Sequence, residues 1–138
     1  MIANRISLVT VTAGDVRALA AFYARLGWVA SHETDKVAFF DMAGMKFGIY
    51  GRADLARDID RAAGTLGTGA MTLSQNFADK AAVDAAFAAA IAAGATVCKP
   101  PEDIFWGGYT GSWADPEGHV WEYAWNPFWE LDDAGHLK

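Results

Sequence analysis

The chain has 138 residues, 53% hydrophobic and 20% charged, with a formal net charge of -6 and one cysteine. That is enough apolar chain for one ordinary domain, or for two small halves sharing one, and it excludes a disordered segment. An acidic chain with no Lys/Arg cluster repels phosphate backbones and anionic lipid heads, so neither nucleic acid nor a membrane is an expected partner.

"RISLVTVTA" has the length and β-branched content of a strand, and "GDVRALAAFYARLGW" follows as an amphipathic helix. Asp15 is placed to cap its start and Gly27 to stop it. "WVASHE", "KVAFFDM" and "MKFGIYG" read as three short strands separated by turn signals. "RADLARDIDRAAGTLGT" reads as a short helix and a connector. The same order then returns. "GAMTLSQNF" is a strand, and "ADKAAVDAAFAAAIAAG" is an alanine-rich helix with Asp79 near its start and Gly94 at its end. "ATVCKP" is a short strand, "PEDIFWGG" a loop, "YTGSWAD" a strand, "DPEG" a turn and "HVWEYAW" a last strand.

Both halves therefore read βαβββ. The predicted class is α+β: two βαβββ modules in one chain, with curved mixed sheets enclosing a cleft and helices on the outside. One domain is expected over residues 1–138, with a first module at about 5–51 and a connector at 52–68. The second module is expected at about 69–127, followed by a C-terminal tail at 128–138. A doubly wound parallel sheet is disfavoured by three consecutive strands without a helix between them. No window reaches the roughly 18 apolar residues of a membrane span, and "MIANRISLVTVTAGD" lacks the pattern of a secretory leader, so the expected location is the cytoplasm. Cys98 is expected as a small core residue, and one cysteine cannot close an intrachain disulfide.

Alternation along each strand separates faces. Val9 and Val11 oppose Leu8 and Thr10; Phe47 and Ile49 oppose Gly48 and Tyr50; Met71 and Leu73 oppose Ala70, Thr72 and Ser74. Trp121 and Tyr123 oppose Val120, Glu122 and Ala124. One face is large and apolar, suited to a helix. The other is small or weakly polar and carries Glu122, which suggests a cleft, although such a face can also simply meet water.

The doubled βαβββ order, "LVTVTAGDVRALAAFYARLGW" and "WADPEGHVWEYAWNP" together resemble the vicinal oxygen chelate superfamily, also called the glyoxalase/bleomycin-resistance/dioxygenase fold. The resemblance implies two modules curled around a cleft, a homodimer, and often a divalent metal that chelates adjacent substrate oxygens. It places the four metal-ligand positions at Leu8, at or beside Gly48, at Ala70 and at Glu122. Only Glu122 is of ligand type, whereas such sites need about three protein ligands. His32, His119 and His136 match none of these positions and read as turn or surface histidines. The expectation is a metal-free chain with no cofactor.

Three roles stay open for Glu122: a structural relic held in a local hydrogen-bond pair, an anchor for a ligand hydroxyl or amine, or a general base. Thr10, Tyr50 and Thr72 are its candidate hydrogen-bond partners, and Asn76 is a further polar candidate. Trp106, Tyr109 and Trp113 are candidate aromatic walls, suited to stacking or cation–π contact. Trp121 and Tyr123 read as core, and Trp125, Phe128 and Trp129 as a cleft edge or a subunit interface. The favoured reading is a metal-free protein that binds an apolar, aromatic or cationic small molecule. The alternative is a lyase, isomerase or dioxygenase-type enzyme of the same superfamily, using Glu122 as base or metal ligand. Protein contact through "NPFW" is a third.

Overall fold

A computed structural model describes all residues 1–138 and divides into two compact units, Met1–Gly67 and Thr68–Lys138. Each unit carries one four-stranded mixed sheet with a long helix against it, and the class is α+β with two repeated modules. No helix is long and apolar enough to cross a membrane.

In the first unit, β1 (Leu8–Ala13) leads into α1 (Val16–Arg25), then β2 (Ala30–Glu33), β3 (Val37–Met42), β4 (Met45–Gly51) and the short α2 (Arg52–Asp58). A single 3-10 turn at Ala63–Thr65 follows, so the connector holds the expected short helix and little else. Asp15 accepts a hydrogen bond from the Ala18 backbone N–H at 3.0 Å and caps α1. At the other end Gly27 takes φ +97°, a left-handed conformation that costs glycine little. It lets Trp28 donate to the Tyr23 carbonyl and Gly27 to the Ala24 carbonyl, closing the helix. The same turn stacks Trp28 on Tyr23, with ring centroids 4.9 Å apart.

Sheet 1 runs β1-β4-β3-β2, with β1 parallel to β4 and the other pairs antiparallel. Val11, Ala38, Phe40, Phe47 and Ile49 point to one face and are buried. Against them α1 lays Val16, Leu19, Ala20, Phe22 and Tyr23, a stripe at helical spacing. The strand-face separation expected for β1 and β4 matches this arrangement.

The second unit repeats the plan with β5 (Thr72–Asn76), α3 (Lys80–Ala93), β6 (Thr96–Asp103), β7 (Tyr109–Ala114) and β8 (Val120–Trp125), in sheet order β5-β8-β7-β6. Asp79 caps α3 through the Ala82 N–H at 2.8 Å, and Gly94 ends it. Val83, Phe87, Ala90 and Ala93 form the buried stripe of α3, which packs on β7 and β8. Trp113, Trp121 and Tyr123 meet that side. The two indoles stack at 5.7 Å and 10°, and Tyr123 meets Trp113 edge-on at 5.3 Å. Burial pushes the Tyr123 phenol up to about 12.

Two local expectations change. β6 continues past Pro100 through Pro101 to Asp103, where a loop was expected. An edge strand tolerates proline because its outer N–H groups have no sheet partner, and the register shifts along β6 absorb the irregularity. Cys98 lies on this edge and is exposed rather than core.

Candidate functional site

The pairings place one row of side chains across each sheet, on the face turned away from the helix. In sheet 1 the row is Thr10, Gly48, Phe39 and His32 across β1, β4, β3 and β2. In sheet 2 it is Ser74, Glu122, Ser112 and Lys99 across β5, β8, β7 and β6. Because the two strand orders match, Gly48 in the first unit occupies the place of Glu122 in the second. By the same repeat Leu8, two residues before Thr10, corresponds to Thr72, two residues before Ser74. Ala70 lies in the bend before β5, so Thr72 rather than Ala70 is the second-unit counterpart of Leu8.

Leu8, Gly48, Thr72 and Glu122 do not make a metal-ligand set. A β-carbon built on Gly48 would lie 3.2 Å from Leu8 Cδ1 and 3.1 Å from Phe39 Cε1, so hydrocarbon fills the space where donor atoms would stand. Nowhere do three His, Cys, Asp or Glu side chains gather as a metal site would require. The donor chemistry of this chain therefore does not fit a metal of the family type.

Instead, the outer face of sheet 1 holds a recess of about 350 Å³, at the small end of the roughly 300–1,000 Å³ common for ligand cavities. Leu8, Thr10, Val37, Phe39, Gly48 and Tyr50 line it from the strands, and Leu55 from α2. The Tyr50 hydroxyl donates to Asp58 Oδ2 at 2.9 Å, tying β4 to the end of α2 and holding the phenol above its usual pKa. His32 stacks on Phe39 at 6.4 Å and 26°.

Of the residues expected at a site, Thr10 and Tyr50 meet in this recess. Thr72, Asn76 and Glu122 share the outer face of sheet 2. The hydroxyl-bearing strand neighbours of Glu122 are Ser74 and Ser112, and its side chain is half-buried. Tyr109 and Trp113 stand on the opposite, helix-facing side, contrary to the expectation of walls beside Glu122. It is Ser112, not Trp113, that pairs with Glu122. Trp113 is fully buried, and the Tyr109 hydroxyl donates to Asp84 of α3 at 2.7 Å. That bond holds the Tyr109 phenol above its usual pKa. Trp106 lies in the loop before β7, where its indole covers Gly108 so closely that a β-carbon there would clash with the ring. Phe128 and Trp129 are exposed.

Sequence reasoning missed Val37, Phe39, Leu55 and Ser112 as outer-face residues. The alternation of "YTGSWA" carries a signal for Ser112, since Thr110, Ser112 and Ala114 separate from Tyr109, Gly111 and Trp113. In "VAFFDM" Phe39 and Phe40 are equally apolar, and only Asp41, two residues from Phe39, marks the outer face.

Among solved structures, a glyoxalase-related enzyme from Fulvimarina pelagi is 29% identical with a TM-score of 0.92, covering 99% of this chain and 98% of its own. A glyoxalase/bleomycin resistance protein/dioxygenase family enzyme from Burkholderia phytofirmans PsJN is 26% identical, with a TM-score of 0.76 and coverage of 86% and 96%. A lactoylglutathione lyase from Agrobacterium tumefaciens, at 21% identity, TM-score 0.74 and coverage of 95% and 100%, shares the fold. No curated protein matches the sequence. The family model described as Glyoxalase/Bleomycin resistance protein/Dioxygenase superfamily matches residues 5–123, which is most of the chain and reaches into β8 past Glu122, and the protein belongs to that superfamily.

Proposed function

We propose that the protein binds a small, largely apolar molecule in the sheet 1 recess, without chelation by a metal. The observation that carries this reading is the replacement of donor atoms by packed hydrocarbon at Leu8 and Gly48, beside an open apolar recess. A carboxylate or imidazole at either position would supply a metal ligand; an isobutyl group and a bare α-carbon supply only contact surface. Elemental analysis of natively purified protein, combined with calorimetric titration of neutral aromatic compounds, tests the reading. Metal well below one equivalent and saturable binding are expected. One equivalent of tightly held metal, or no saturable binding, overturns it.

The half-buried position of Glu122 between Ser74 and Ser112 supports a second reading, in which its carboxylate acts as a base on a bound molecule. Glu122→Gln separates the two: loss of turnover with binding retained favours the base, and unchanged behaviour removes it.

A further inference from the structure

We infer that the sheet 1 recess selects neutral, hydrocarbon-rich groups against charged ones, with Phe39 as the contact surface and Gly48 setting the depth. This rests on the binding function proposed above and narrows its ligand, because the sequence alone admitted a cation.

The walls decide the selectivity. Leu8, Val37, Phe39 and Leu55 present only carbon, and no charged side chain lines the space. Two hydroxyls remain. That of Tyr50 spends its proton on Asp58 and can only accept from a ligand, whereas Thr10 can donate or accept. A neutral molecule with one hydroxyl can satisfy that arrangement. A carboxylate placed there sheds water without gaining a counter-charge, and an ammonium meets only the Asp58 carboxylate that Tyr50 already engages from outside the lining; burying a poorly paired charge is far more costly than burying a hydroxyl. His32 stacks on one face of Phe39 and the ring edge is turned onto Gly48 and Leu8, so what the ring offers a ligand is one face of hydrocarbon contact, with no carboxylate in the lining to support a cation.

The depth depends on the missing side chain of Gly48. Any β-carbon there meets Phe39 at 3.1 and 3.3 Å and Leu8 at 3.2 Å, so a larger residue must either fill the recess or displace its walls.

Three probes of one shape test this at neutral pH: 2-naphthylmethanol, 2-naphthylmethylammonium and 2-naphthoate, titrated by calorimetry into the full chain. The alcohol should saturate with a Kd at least tenfold below that of either ion. It should shift the methyl resonances of Leu8, Val37 and Leu55, and its affinity should fall at least tenfold in Gly48→Val. Should that variant not fold, Gly48→Ala should weaken the alcohol at least threefold. Equal or tighter binding of either ion overturns the selectivity and leaves the binding function standing. Binding that spares those methyls, or is indifferent to Gly48, overturns the placement. No saturation by any probe overturns the binding function itself.

Discussion

Phe39 stands directly across the β3–β4 pairing from Gly48, and its Cε1 would lie 3.1 Å from a β-carbon built on that glycine. The glycine is thus a packing requirement of the outer face of sheet 1, with Leu8 as the other neighbour.

That contact predicts coupling between the two positions. Gly48→Val should destabilise the protein by about 1–3 kcal/mol through overpacking. In a Phe39→Ala background the same change should cost less, because the ring it strikes is gone. Urea denaturation of the two single variants and the double variant gives the interaction energy directly, and a value near zero would mean the two side chains do not meet.

The two tryptophans assigned to a ligand wall by sequence should part company. Trp113 is fully buried and stacked on Trp121, so Trp113→Ala should cost about 3–5 kcal/mol and leave little folded protein. Trp106 is 38% exposed in its loop, and Trp106→Ala should stay within about 1 kcal/mol of the parent. Thermal denaturation followed by circular dichroism ranks them; equal effects would contradict the assignment of faces in β7.

Asp115 holds the turn that delivers Glu122. Its buried carboxylate accepts from the Glu117 N–H at 2.9 Å and the His119 N–H at 3.0 Å. Asp115→Ala should destabilise by roughly 2 kcal/mol, with Asp115→Asn intermediate because its amide oxygen still accepts. Chemical denaturation checks both; a neutral Asp115→Ala would show that the turn forms without its side chain.

Stability should fall in alkali through Tyr123. Its folded pKa of about 12 lies above the ordinary value of 10.0, so the folded state favours the neutral phenol. The contribution is complete below pH 10 and is lost between pH 10 and 12 as the unfolded chain ionises first, amounting to roughly 3 kcal/mol. Denaturation midpoints across that range, compared with Tyr123→Phe, should show the variant resisting the loss.

The element order and both helix caps were legible because each rests on local chemistry. Asp15 and Asp79 reach donors three residues ahead, and Gly27 adopts its left-handed turn next to the helix it ends. The position of Glu122 on the outer face was equally legible, since large and small residues alternate cleanly along "VWEYA". Alternation failed in "VAFFDM", where Phe39 and Phe40 are equally apolar but only Phe40 is buried against α1. In β7 alternation sets Thr110 and Ser112 on the face of Glu122 and Tyr109 and Trp113 on the face of α3.

By itself the sequence determined the α+β repeat, the family, and the absence of donor-type side chains at Leu8, Gly48 and Ala70, where the resemblance implies metal ligands, all of which depend on residue identity and near neighbours. Only the tertiary structure decided that Thr72 rather than Ala70 is the counterpart of Leu8, that β6 runs on through Pro101 to Asp103, and that Phe39 closes over Gly48. Those outcomes are set by pairing between strands distant in the chain. A shift of one residue in that register would turn every side chain to the other face, and no local pattern encodes it where both faces are apolar.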